Sequence, residues 1–219
     1  MPVTTAEPPS PKAIERTVEQ LRNGGLALLA TDTVYGIVAD IRRDDAVDAL
    51  YAAKGKRRRE PLQLLCSTNL EVLNAYAELT QAAGTLIDAL GPGPWTIITT
   101  AAQGWTSPAL AGGVTAGLRL PPTPTIQAVI AGLGAPLAAS SANRHGERSP
   151  TTCAQAVASL GRFCAAAIDD GPTPEGVDST VVDCSRTPPR VLREGAIPAA
   201  TIATHLGLEG IEVVRRVGV

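Results

Sequence analysis

The chain has 219 residues, 44% of them apolar and 18% charged, with a formal net charge of -2. That composition suits one globular domain with a sizeable core and excludes a disordered chain. The near-neutral balance excludes a coat protein of overall basic character for nucleic acid, and aromatics at 3% leave Ala, Leu, Val and Ile to build the interior.

Pro2, Pro8 and Pro9 without an apolar stretch read as a flexible lead-in over residues 1–11, not a signal peptide. Ser10-Pro11 starts a helix with Ile14, Val18 and Leu21 on one stripe, and Gly24-Gly25 stops it. Leu26 to Ala30 reads as a short strand and Ile37 to Ile41 as a second. Asp44 to Ala53 is helical, with Val47, Leu50 and Tyr51 inward. A strand at Leu62 to Cys66 precedes helices at Leu70 to Leu79 and Thr80 to Leu90, ended by Gly91-Pro92-Gly93-Pro94. Strands follow at Thr96 to Thr100 and Val114 to Leu120. Thr123-Pro124 opens a helix facing inward with Ile126, Val129, Ile130 and Leu133, and Pro136 to Ser140 is the next strand. The rest reads as a helix at Thr152 to Leu160, strands at Cys164 to Ile168, Thr180 to Cys184 and Arg190 to Arg193, a helix at Pro198 to Leu206, and a last strand at Ile211 to Arg216. The alternation predicts an α/β fold with a mixed sheet, in one domain over residues 12–219.

Four cysteines, Cys66, Cys153, Cys164 and Cys184, show no C-x-x-C pair and mostly lie in apolar segments, as buried reduced thiols of a cytoplasmic protein would. No apolar run approaches the roughly 18 residues of a membrane span. Positive charge is concentrated: Lys54, Lys56, Arg57, Arg58 and Arg59 fall within six residues, between a helix and a strand. Such a run suits polyphosphate, because Lys and Arg neutralise phosphoryl oxygens and Arg grips two at once. A solvated surface or a weak RNA-binding patch is the competing reading.

Polar loops follow several strands, where α/β sheets place ligands. They are Thr31-Asp32-Thr33-Val34-Tyr35-Gly36, Ser141-Ala142-Asn143 with Ser149-Pro150-Thr151, and Asp169-Asp170-Gly171 with Asp178-Ser179-Thr180. His145 and His205 lack a metal or triad pattern, and neither a G-x-x-x-x-G-K-[ST] nor a G-x-G-x-x-G loop occurs. The residues alone lead to an α/β domain with an anion-binding cavity.

Taken in order, the boxes resemble the threonylcarbamoyl-adenylate synthase family, the YrdC-like domain. To those loops are added Ala53-Lys54-Gly55, Pro61-Leu62, Gly91-Pro92-Gly93-Pro94-Trp95-Thr96, Leu118-Arg119-Leu120-Pro121, Ser179-Thr180-Val181-Val182-Asp183 and Leu192-Arg193-Glu194-Gly195, together covering about residues 12–198. The resemblance implies a twisted mixed sheet with flanking helices around a positively charged cavity, in the family's single-domain form. It also implies a reaction in which L-threonine, bicarbonate and ATP, with Mg²⁺ on the phosphates, give threonylcarbamoyl-AMP and pyrophosphate. The product would pass to tRNA threonylcarbamoyl-transferase proteins; the alternatives are an RNA-binding or ribosome-maturation factor using the same basic cavity, and carbamoyl transfer to another acceptor.

By the same resemblance, Lys54, Lys56, Ser141 and Asn143 are the catalytic candidates around the phosphates. Arg58, Thr115, Ser149 and Arg193 are further ATP contacts. Thr31, Thr33, Arg119 and Ser179 would hold threonine, with Arg119 on its carboxylate, and Tyr35 is either a contact or packing. Lys56 stands where the family usually has Arg, leaving Arg57 or Arg58 to supply a two-pronged grip.

Overall fold

Ser10 caps the first helix, α1 (Pro11–Arg22), by accepting from the Ala13 N–H at 3.1 Å. The structure is a computed structural model and describes residues 3, 5–55, 60–67, 70–174 and 177–214. After α1 come β1 (Ala27–Ala30), β2 (Tyr35–Asp40), α2 (Asp44–Lys54), β3 (Gln63–Leu65), β4 (Ala77–Glu78), α3 (Gln81–Leu90) and β5 (Trp95–Ala101). The second half runs β6 (Thr115–Arg119), α4 (Pro124–Leu133), β7 (Leu137–Ser141), α5 (Cys153–Leu160), β8 (Ala166–Ala167), β9 (Thr180–Asp183), β10 (Arg190–Arg193), α6 (Ala199–His205) and β11 (Glu212–Val213).

The strands form one mixed sheet in the order β11-β10-β9-β5-β6-β3-β7-β2-β1-β8, with β4 added to the end of β5. Register decides what each face carries, because paired residues on neighbouring strands point the same way. Val38, Ala139, Gln63, Gly117 and Ile98 make one such row across β2, β7, β3, β6 and β5. The opposite face carries Leu28, Ile37, Leu64, Leu118, Ile97, Val182 and Val191. It is covered along its length, by α2 and α5 over one half and α3 and α6 over the other.

The first face is covered over one half only. There α1 and α4 bury Ala27, Leu29, Val38, Leu65 and Leu137. Over β5, β6, β9 and β10 no helix among the described residues lies on it, and Thr96, Ile98, Thr115, Gly117 and Val181 line open space instead.

Several expectations change. The predicted helix over Leu70 to Leu79 is a 3₁₀ turn, Leu70–Ala75, followed by β4. Here pairing wins, since Ala77 and Glu78 meet the free backbone of Ala101 and Thr100 and Tyr76 stacks edge-on against Trp105. The strand expected at Cys164 to Ile168 shortens to β8, and the one at Ile211 to Arg216 to β11, with residues 215 and 216 outside the described set. The lead-in expected to be flexible is tied down where it is described. Val3 N–H meets the Gly161 and Cys164 carbonyls, and Glu7 exchanges backbone bonds with Ala167 and Asp169, closing the β8 edge.

Candidate active site

The bare half of the sheet is the floor of a hollow, and its depth follows from small side chains. Gly117 and Ala139 lie on either side of Gln63 in the same row, so the backbone is open to a ligand. A bulge then supplies the charge. Val191 pairs with Val182, but Arg193 pairs with Val181, so one extra residue in β10 turns Arg193 toward the hollow. Strict alternation would have pointed Leu192 there in its place.

Arg119 ends β6 opposite Leu65, at the border of the covered half, and is 4% exposed. Its guanidinium donates to Thr33 Oγ1 at 2.8 Å, to Asp32 Oδ1 at 2.6 Å and to the Gly93 carbonyl at 3.4 Å. Burial pulls it below the ordinary guanidinium range, and the Asp32 charge opposes that shift. The loop presenting Asp32 and Thr33 is shaped by Thr31. Its hydroxyl donates to the Val34 carbonyl at 2.8 Å and accepts from the Thr33 and Val34 N–H groups, so Thr31 serves the turn. Tyr35 is fully buried, its hydroxyl donating to the Gly171 carbonyl at 2.7 Å beside Asp169, and burial pushes its pKa up. That answers the packing question: Tyr35 anchors the 169–171 loop.

Lys54 closes α2, with Gly55 at φ 62° turning the chain in the left-handed region. Its ammonium is buried and donates to the Ser141 carbonyl at 2.6 Å, the Asn143 carbonyl at 2.7 Å and Ser141 Oγ at 3.3 Å. His145 N–H bonds back to the Lys54 carbonyl. Lys54 therefore ties the 141–145 loop to the end of α2. Asn143 shapes the same loop, donating to the Arg144 and Glu147 carbonyls at 2.9 and 2.8 Å.

On the opposite wall Arg193 donates to the Ser179 carbonyl at 2.9 Å and to Ser179 Oγ at 3.1 Å, and pairs with Asp178 at 3.4 Å. Gly195 lets the two loops meet, because a Cβ there would fall on the Asp178 carbonyl.

Three adjoining cavities result. The middle one, ≈ 190 Å³, is lined by Thr33, Gln63, Arg119, Ser141, Ser179 and Arg193, among others. A cavity of ≈ 510 Å³ shares Val34 and Asp178 with it and carries Asn143, Arg148 and Ser149. A third, ≈ 270 Å³, shares Gln63 and Arg193 and carries Thr115. The structure thus brings Thr33, Arg119, Ser141, Ser179, Arg193, Asn143, Ser149 and Thr115 around one continuous hollow. Lys54 and Thr31 adjoin it without being among the described residues that line the three cavities, and Lys56 and Arg58 lie outside the described residues. Among described residues lining the three cavities, Arg119, Arg148 and Arg193 face Glu147 and Asp178. No three His, Cys, Asp or Glu side chains gather as metal ligands among the described residues, and no described helix is long and apolar enough to cross a membrane.

Sequence reasoning missed Asp32 as the partner of Arg119, and Gln63 and Thr96 in the floor. Their signal is in the sequence: Gln63 is the one amide in an otherwise apolar strand, and Thr96 closely follows the Gly91-Pro92-Gly93-Pro94 turn.

Fold and site together define a mixed α/β protein whose ligand hollow, lined by arginines and hydroxyls, opens on a bare sheet face. Residues 19–195 match the Sua5/YciO/YrdC family model, described as telomere recombination, and the chain belongs to that family. A Bacillus subtilis threonylcarbamoyl-AMP synthase is 33% identical over 195 residues, 89% of this chain and 56% of that protein. A Mycobacterium tuberculosis H37Rv protein, given the same name provisionally, is 34% identical over 90% of this chain and 91% of its own. The crystal structure of Pyrococcus abyssi Sua5 complexed with L-threonine superposes with a TM-score of 0.87 at 30% identity, covering 92% of this chain and 58% of that one. The chain thus spans little more than half of two of these relatives.

Proposed function

We propose that the chain is a threonylcarbamoyl-AMP synthase, converting L-threonine, bicarbonate and ATP to threonylcarbamoyl-AMP and pyrophosphate. The observation that carries this is the middle cavity, where Thr33, Arg119, Ser141, Ser179 and Arg193 converge between two larger spaces. Its ≈ 190 Å³ lies below the roughly 300 Å³ at which drug-sized sites begin. An amino acid suits it, and the neighbouring spaces suit a nucleotide. Relatives named threonylcarbamoyl-AMP synthase support the activity.

In this reading Arg119 takes the threonine carboxylate, held ready by Asp32 and Thr33. The threonine ammonium first gives a proton to solvent; the free amine then adds to the carbon of bicarbonate with loss of water, forming an N-carboxylate. An oxygen of that group attacks the α-phosphorus of ATP, and the bond to the β-phosphate oxygen breaks to release pyrophosphate. Two anions must approach, so donors and cations are required around the phosphoryl oxygens. Ser141, Asn143, Ser149, Thr115 and Arg193 stand where they can contribute, and Lys54 acts through the loop it holds. Lys56 and Arg58 are proposed to reach the phosphates from their connection. Mg²⁺ would arrive with the nucleotide as part of the substrate, and the product would pass, in the cytoplasm, to proteins that modify tRNA.

The test is pyrophosphate release by the purified chain with Mg²⁺, ATP, bicarbonate and threonine. Release should stop when threonine or bicarbonate is omitted, with threonylcarbamoyl-AMP detected by mass. Unchanged release without threonine would sink the assignment.

A further inference from the structure

The bare sheet face carries one connected line of polar side chains. Gln63 Nε2 donates to Thr96 Oγ1, Thr96 Oγ1 lies 3.0 Å from Ser179 Oγ, and Arg193 Nη2 donates to Ser179 Oγ at 3.1 Å. Thr96 and Ser179 are buried, while Gln63 is half-buried and borders both the ≈ 190 and the ≈ 270 Å³ cavities.

A hydroxyl has one proton to give and two lone pairs to accept with. Both ends of this line are donors, and a single bond joins the two hydroxyls between them. Whichever hydroxyl donates in that bond, the other has both lone pairs filled and its own proton left over. The bonds can run in one direction from either end, Gln63 to Thr96 to Ser179 or Arg193 to Ser179 to Thr96, and an anionic oxygen bound in the ≈ 190 Å³ cavity selects the first, which leaves a proton aimed at it. The spare proton then belongs to Ser179, which faces the ≈ 190 Å³ cavity beside Arg119. The Arg193 cation on the same oxygen strengthens that O–H as a donor.

We propose that Thr96 and Gln63 are positioning residues that fix the Ser179 hydroxyl as a donor to an anionic carboxylate-type oxygen of the substrate. The inference rests on the synthase reading above. That oxygen belongs either to the threonine carboxylate or to the N-carboxylate formed from bicarbonate. Thr96 acts through Ser179, and Gln63 through Thr96.

Three variants separate this role from packing. Thr96→Val keeps the shape and loses the hydroxyl; Thr96→Ser keeps the hydroxyl and loses the methyl group; Gln63→Leu removes the first donor. Thr96→Val should raise a substrate KM about 10-fold, and Gln63→Leu about 3-fold, with kcat within about 2-fold of wild type. Thr96→Ser should stay near wild type. Calorimetry with threonine alone, without ATP or bicarbonate, distinguishes the two oxygens. Weaker threonine binding in Thr96→Val with a raised threonine KM supports the inference and assigns the carboxylate. Unchanged threonine binding with a raised bicarbonate KM supports it and assigns the N-carboxylate. Wild-type kinetics in Thr96→Val, or equal damage in Thr96→Val and Thr96→Ser, overturns it. Should Thr96→Val not fold, unchanged kinetics in Gln63→Leu overturns it alone. A wild-type chain inert in the full assay sinks the synthase reading and this inference with it; an active wild type with an indifferent Thr96→Val sinks only the inference.

Discussion

One face of the sheet is two different surfaces. Over β1, β2 and β7 it carries Ala27, Leu29, Val38 and Leu137 under α1 and α4, and it is core. Over β5, β6 and β9 it carries Thr96, Thr115, Gly117 and Val181, and it is the floor of the hollow. A single row, Val38 to Ile98, crosses from one to the other. The backbone is alike in both halves, so side-chain size and polarity decide. Covering a large aliphatic side chain gains about 1.5–3 kcal/mol. A helix laid over Thr96, Thr115 and Gly117 would gain little apolar burial and would take the Thr115 hydroxyl out of water. Arg119 marks the border, buried as in the core and aimed into the hollow.

The border is where the comparison should break most severely. Removing one partner of a buried ion pair costs about 3–5 kcal/mol, because the other charge is left behind. Arg119→Ala strands Asp32, whose second oxygen already lacks a hydrogen bond. Urea unfolding should register that loss, and threonine-dependent turnover should fall on the order of 100-fold or more. Adding Asp32→Ala should return much of the stability and none of the activity. If the double variant regained turnover, Arg119 would be a structural residue only.

On either side of the border the effects should separate. Leu29→Ala empties part of the covered half and should cost about 2–5 kcal/mol, while the remaining folded protein keeps its KM for threonine and ATP. Thr115→Ala, on the floor, should change stability by no more than about 0.5 kcal/mol and raise the ATP KM. Equal unfolding midpoints for the two variants would refute the division.

Much of this was legible in the sequence, for local reasons. Ser10 before Pro11 marked the start of α1, and the helices expected from Thr80 and from Thr152 are found, each capped by that residue. The boxes carrying Arg119, Ser141 and Ser179 proved to meet in one cavity. Less legible was anything that depends on which strands are neighbours. Polar residues were expected at strand ends. In a mixed sheet the antiparallel neighbours bring strand starts to the same place, so Gln63 and Thr96 escaped notice. The bulge before Arg193 has no local signature in Arg-Val-Leu-Arg. Lys54 showed its charge but not its partners, because its bonds to the Ser141 and Asn143 carbonyls are tertiary facts. The helix expected over Leu70 to Leu79 failed to a pairing that only the edge of β5 explains.

The smallest effect concerns the covered face opposite the hollow, which should be as dry as its packing implies. Cys66 and Cys164 belong to the core packed by α2 and α5, Cys153 is the first residue of α5 on that core, and Cys184 belongs to the core packed by α3 and α6. Burial pushes the thiols of Cys66, Cys164 and Cys184 up from an ordinary 9.0 to about 12, and that of Cys153 to about 11. Below pH 9 both folded and unfolded chains keep these protons, so the contribution to stability is fully present. Between pH 9 and the folded values only the unfolded chain ionises, and stability falls as pH rises, by at most about 1.4 kcal/mol per unit for each thiol. The urea midpoint should therefore hold steady from pH 7 to 8.5 and drop by pH 10.5. At pH 8 a thiol reagent should leave the native chain unlabelled and modify all four cysteines once it is unfolded. Rapid native labelling of Cys184 alone would show water reaching the α3 and α6 half, and the contrast between the two faces would be confined to the α2 and α5 side.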